Sequence, residues 1–185
     1  MKKIIYFAIG LIAMIIISIS AVSAEDAVAG SSGSINVDNS LALKIREKEI
    51  KIKKIEAFLK SYNSPLESYA SSFVDKAEEY NIDWKLVVSI LGVESTFGKN
   101  IPVNSYNGWG WGIPTGASSG LGFKDWKDGI DQVSKGLREK YIERELDTVY
   151  KMGHVYAPPS KTWAGNVNLF MDKLEATVVV PELSI

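Results

Sequence analysis

Residues 84–95 read Trp84-Lys85-Leu86-Val87-Val88-Ser89-Ile90-Leu91-Gly92-Val93-Glu94-Ser95. A surface helix keeps its apolar residues to one stripe, whereas this run is apolar around nearly its whole circumference, which predicts a helix enclosed by other elements. Asn81-Ile82-Asp83 supplies a turn and a cap ahead of it. The expected fold is therefore a central helix with further helices packed round it. Glu94 stands three, four and seven residues after Leu91, Ile90 and Val87, on the face of those apolar groups. A carboxylate there loses water, its pKa rises, and it can hold a proton near neutral pH as a general acid must. The same spacing also fits a carboxylate that only marks the helix end and points to solvent.

Ser64 before Pro65 is a helix start, and Tyr69, Phe73, Ala77 and Tyr80 continue an apolar stripe from it. Asp125 and Asp128 have the Asp-x-x-Asp spacing of a helix N-terminus, which is a simpler role for them than catalysis. The stripe Trp126, Ile130, Val133, Leu137 and Tyr141 follows, helical character continues from Ile142 to Lys151, and Gly153-His154-Val155-Tyr156 closes it. Trp163, Val167, Phe170, Met171 and Leu174 form a last helix, and Pro181 keeps the tail from being helical throughout.

At the N-terminus, Lys2 and Lys3 lead into an apolar run from Ile4 to Val22, and Val22-Ser23-Ala24 suits cleavage after Ala24. Residues 1–24 are expected to act as a signal peptide; the run approaches the ~20 residues that span a bilayer, so an uncleaved anchor is the other reading. Either way the protein is exported, and any membrane contact comes through this segment. Residues 25–40 lack periodicity and read as a flexible linker. Leu41, Ile45, Ile52, Ile55, Leu59 and Tyr62 mark an amphipathic helix over 41–62, outside a main domain expected at 63–178, with a tail at 179–185.

Composition narrows the chemistry. The 185 residues include no Cys, which excludes disulfides, thiolate metal sites and a cysteine nucleophile. A single His, His154, excludes a multi-histidine metal centre, and no partner spacing supports it as a catalytic base, so it reads as a loop or packing residue. Without residues 1–24 the chain has 19 basic against 22 acidic residues, a net charge of −3, which argues against nucleic-acid binding. No cofactor is expected, and neither is a metal; a monomer is.

Between the helices, Gly108-Trp109-Gly110-Trp111-Gly112 alternates bulky with absent side chains. An extended chain would send both indoles to one side, as a platform for the apolar faces of sugar rings, and at least one is read as a sugar contact. The competing reading puts both in the core beneath a hairpin.

Glu94-Ser95-Thr96-Phe97-Gly98-Lys99-Asn100, carried on Leu86-Val87-Val88-Ser89-Ile90-Leu91-Gly92-Val93, resembles the catalytic Glu-Ser stretch of the lysozyme-like superfamily of bacterial cell-wall lytic enzymes. These are the lytic transglycosylases, goose-type lysozymes and glucosaminidase relatives. The likeness runs on through Asn104–Gly112 and Tyr156-Ala157-Pro158-Pro159 to Trp163 and Val167, covering Ser64 to Ala176. It implies a mainly α (α+β) domain in which a small hairpin or irregular segment forms one wall of a cleft. It also implies cleavage of peptidoglycan glycan strands, with Glu94 as general acid and base, with Ser95 helping to position the site, and with Ser95, Asn107, Trp109, Trp111 and Tyr156 on the substrate. The Gly-Leu-Met-Gln typical of lytic transglycosylases is absent where Asn107–Gly112 stands, and no second carboxylate closely follows Glu94. A lytic transglycosylase or muramidase, an endo-β-N-acetylglucosaminidase and a non-catalytic wall-binding module thus all stay open. A membrane-tethered structural protein using helix 41–62 is weakened by Lys48 and Glu49, which stand where a heptad needs an apolar residue.

Overall fold

The computed structural model of the protein describes residues 39–112 and 121–179. The expected signal segment, residues 25–38 of the linker, residues 113–120 of the Gly-rich stretch and residues 180–185 of the tail lie outside the described residues. Six helices follow in order among them: α1 (residues 39–61), α2 (Ala70–Glu79), α3 (Leu86–Ser95), α4 (Trp126–Lys140), α5 (Val149–Tyr156) and α6 (Trp163–Glu175). Single 3-10 turns stand at Glu67–Tyr69 and Ile142–Arg144, and no strand occurs among the described residues. The protein is mainly helical. No helix among the described residues is long and apolar enough to cross a membrane.

The chain divides into two units, Met1–Glu47 and Lys48–Ile185. Within the first, residues 39–47 are helical and Leu41, Leu43 and Ile45 are exposed. The second holds the core. Its boundary corrects the expected domain start at residue 63, because Ile55, Phe58 and Leu59 of α1 are buried in that core. Phe58 and Tyr62 meet Phe97, and Tyr62 meets Phe170 of α6, at ring-centroid distances of 4.2–6.0 Å. Amphipathic periodicity shows that a helix has an apolar face, but not which element covers it.

As the all-round apolarity of the sequence predicts, α3 is the central helix, buried from Leu86 to Gly92 and again at Ser95. It packs on α6 and α4. Its end is built from a run of left-handed residues, Thr96, Phe97 and Gly98, at φ +53°, +59° and +82°. Two things hold them there. The Ser95 hydroxyl donates to the Leu91 carbonyl at 3.0 Å and accepts from the Gly98 N–H at 2.8 Å. The Phe97 ring folds back over Gly92, where an added Cβ would lie 2.6 Å from it. Ser64 fastens this turn to the end of α1, its hydroxyl donating to the Phe97 carbonyl at 2.8 Å.

Asp125 caps α4 by accepting from the Asp128 N–H at 2.9 Å, and Asp128 accepts in turn from the Lys124 N–H at 2.9 Å. The first bond is the cap that the Asp-x-x-Asp spacing predicts, while the return bond goes to the N–H one residue ahead of the cap and not to that of Asp125 itself. The helical continuation expected from Ile142 to Lys151 is interrupted: Glu145 at φ +63° turns the chain, Thr148 caps α5 afresh, and α5 runs on through His154 to Tyr156. His154 is exposed on that helix.

Candidate functional site

The Gly-Trp-Gly-Trp-Gly stretch is not extended. Gly110, between the two indoles, takes φ +63° and turns the chain so that they go to different places, and Gly112 takes φ +65° just after them. Trp109 is fully buried: its Nε1 donates to the Val87 carbonyl of α3 at 2.9 Å, and its ring meets Phe73, Phe123 and Trp126. The reading of Trp109 as a sugar contact is therefore corrected, since no face of its ring is open. Trp111 remains half-buried, its ring 6.1 Å from Tyr141 and 5.8 Å from Tyr156. Two glycines of α4 make room for the pair. A Cβ at Gly129 would lie 2.8 Å from the Trp109 ring, and one at Gly136 would overlap the Trp111 ring. Glycine inside a helix costs about 1 kcal/mol relative to alanine, and that mismatch was the sequence signal for close packing here.

Asn107 holds the loop shut. Its amide donates to the Trp111 and Leu121 carbonyls, both at 2.8 Å, and its Oδ1 accepts from the Trp109 and Trp111 N–H groups at 3.3 and 3.0 Å. Buried and fully engaged, it has nothing left for a ligand, which corrects its expected place on the substrate. Ser95 is corrected on the same ground. It is buried, and both capacities of its hydroxyl are spent on the turn that follows Glu94.

Glu94 closes α3 and stands where this loop meets α6. The Trp163 indole N–H donates to its Oε1 at 2.6 Å, and its Oε2 faces Gly110, 3.4 Å from where a Cβ would be. By surface area Glu94 as a whole is an exposed residue, and only its carboxylate is partly shielded, by Trp163 on one oxygen and Gly110 near the other. Loss of water raises its pKa above the ordinary carboxylate value, and the Trp163 N–H, which favours the ionised form, opposes part of that rise. Tyr156 stacks on Trp163 with ring centroids 4.9 Å apart, and its hydroxyl donates to the Trp109 carbonyl at 2.6 Å. Burial above all, then the Glu94 and Tyr141 charges, hold that hydroxyl far above its usual pKa, so it stays a donor. Tyr156 thus ties the buried Trp109 to the wall of the site and offers only its ring to a ligand.

Sequence reasoning named Trp163 as part of a helix stripe and as one end of the resemblance, but not as a partner of Glu94; that contact spans 69 residues and left no local signal. Past Gly110 and Tyr156 lies a depression of about 400 Å³, to which Trp111, Tyr141, Lys140 and Arg144 also contribute. The geometry brings together Glu94, Trp111 and Tyr156 of the expected site, and turns Ser95, Asn107 and Trp109 inward. Among the described residues, no group of three or more His, Asp or Glu side chains is arranged to hold a metal ion. No protein-family model matches the chain, and the comparison with curated proteins found no match.

Trp163→Phe provides a test of this geometry. Removing the N–H takes away a bond that favours the ionised carboxylate, so the Glu94 pKa rises further. If protonated Glu94 is the reactive form, kcat/KM falls as pH rises through that pKa, and in the variant the fall moves to higher pH. An unmoved profile would assign the limb to another group.

Proposed function

We propose that the Lys48–Ile185 unit is a lysozyme-like domain that cleaves the glycan strands of peptidoglycan as a lytic transglycosylase or muramidase, with Glu94 as general acid and then base. The observation that carries this reading is a partly shielded carboxylate at the end of a buried helix, one oxygen on Trp163 and the other facing Gly110, which has no side chain. A carboxyl group in that state can pass its proton to a leaving glycosidic oxygen. The half-buried rings of Trp111 and Tyr156 beside it suit the C–H faces of sugars. The Glu94-Ser95 resemblance supports the bond class, and the expected export segment carries the protein to where that polymer lies. The chemistry calls for no cofactor or second subunit.

Retaining and inverting glycosidases pair two carboxylates, and no second acid is a partner of Glu94 among the described residues. The substrate's own N-acetyl group can stabilise the oxocarbenium-like centre, after which the muramic 6-hydroxyl closes the ring. Muropeptides released from isolated walls are then expected to carry 1,6-anhydromuramic ends, lighter by one water, about 18 Da, than hydrolysis products. A reducing N-acetylglucosamine end would make the protein an endo-β-N-acetylglucosaminidase. Walls that retain the protein yet release nothing soluble would make it a binding module.

A further inference from the structure

We propose that the depression beside Glu94 is a binding site for a carboxylate-bearing sugar, its acid group held by Lys140 and Arg144 and its ring laid on Trp111, Tyr141 and Tyr156. This rests on the glycan reading of the site and names which unit of the glycan sits there. The depression shares Gly110 and Tyr156 with the surroundings of Glu94, so a polymer reaching Glu94 extends into it. At about 400 Å³ it is within the size range of small-molecule sites, which begins at roughly 300 Å³.

Charge is what sets it apart. Lys140 and Arg144 both line it, and no acidic side chain does among the described residues. Elsewhere on this unit, Lys48, Lys54, Lys76, Lys85, Arg138 and Lys151 each lie against a carboxylate, and others such as Lys99 and Lys173 do not, but only Lys140 and Arg144 among the described residues line this depression together. Lys140 and Arg144 are exposed and have no such ion pair among the described residues. Lys140 Nζ lies 5.8 Å from the centre of the Trp111 ring, which keeps the charge over the aromatic floor. The Trp111 ring is held by close approach to Gly136 on the same helix as Lys140, so floor and cation are fixed to one another. Two cations lining a depression floored by flat apolar rings match a ligand with one anionic edge and one C–H face. Arg144 adds the planar fork that binds a carboxylate through two N–H groups.

The test uses the full chain carrying Glu94→Gln, so that no turnover intervenes. The probes are a peptide-free tetrasaccharide of alternating N-acetylglucosamine and N-acetylmuramic acid, and the same tetrasaccharide with its lactyl carboxylates converted to amides. The free acid is expected to bind about tenfold more tightly than the amide, as for a charge-assisted contact of ordinary strength. The preference should shrink to within about twofold at 1 M salt and when Lys140→Gln and Arg144→Gln are added. Both side chains lie on the surface, so the melting temperature of that variant should stay near the parent value. Equal affinity for the two probes, or a preference that survives loss of both cations, overturns the carboxylate site and leaves the role of Glu94 standing. Failure of both probes to bind overturns the site and the glycan reading together.

Discussion

Glu94→Gln is expected to lower the release of soluble fragments from isolated walls by a factor on the order of 10²–10⁴. The amide keeps the side chain's shape, and its oxygen can still accept the Trp163 N–H that Oε1 accepts now at 2.6 Å. It has no proton to give at a useful pKa, so binding should survive while turnover does not. Stability supplies an independent reading. The folded-state pKa of Glu94 is raised, mainly by desolvation, so the folded protein holds this proton more tightly than the unfolded chain does. Stability contributed by the group is complete below the unfolded pKa and is lost as pH rises through the folded one. Gln lacks that loss. The variant's melting temperature should match the parent in acid and exceed it near neutrality, by a small margin because Glu94 as a whole is exposed and solvent screens it. Lysis at more than a tenth of the parent rate would remove Glu94 from the chemistry.

Trp109→Ala is expected to cost about 3–5 kcal/mol of folding stability, the range for deleting a buried aromatic ring. The indole is fully buried, and its N–H bond to the Val87 carbonyl ties the Gly-rich loop to the central helix. The Gly129 backbone already lies close to the ring, and collapse of α4 into the vacated space would disturb the neighbouring Phe123 and Trp126. Trp111→Ala should cost clearly less, because part of that ring already faces solvent. Urea titrations of the two variants separate the roles. A cost below about 1 kcal/mol for Trp109→Ala would be the size of a surface substitution and would return this ring to the list of sugar contacts.

Periodicity and capping chemistry made much of the helical frame legible. The nearly continuous apolarity of Leu86–Val93, interrupted only by Ser89, fits a helix enclosed by other elements, which is where α3 lies. Asp125 and Asp128 announced the start of α4 because their side chains bond N–H groups within four residues, a strictly local event. Glu94 was legible for a similar reason, its place being fixed by counting along one helix. What surrounds it was not. The partner that holds its Oε1 is Trp163, the opening opposite Oε2 is Gly110, and the cations of the adjoining depression are Lys140 and Arg144. Local pattern shows which face of an element is apolar and is silent on which distant element covers it, so the core role of Ile55, Phe58 and Leu59 was also out of reach. The two tryptophans show the limit most clearly. Glycine permits a positive φ without requiring one, so Gly-Trp-Gly-Trp-Gly was equally compatible with an extended chain and a reversed one. The choice fell to packing: Gly129, Gly136 and the Val87 carbonyl accept the rings only with Gly110 reversed, which buries Trp109 and leaves Trp111 at the edge of the site.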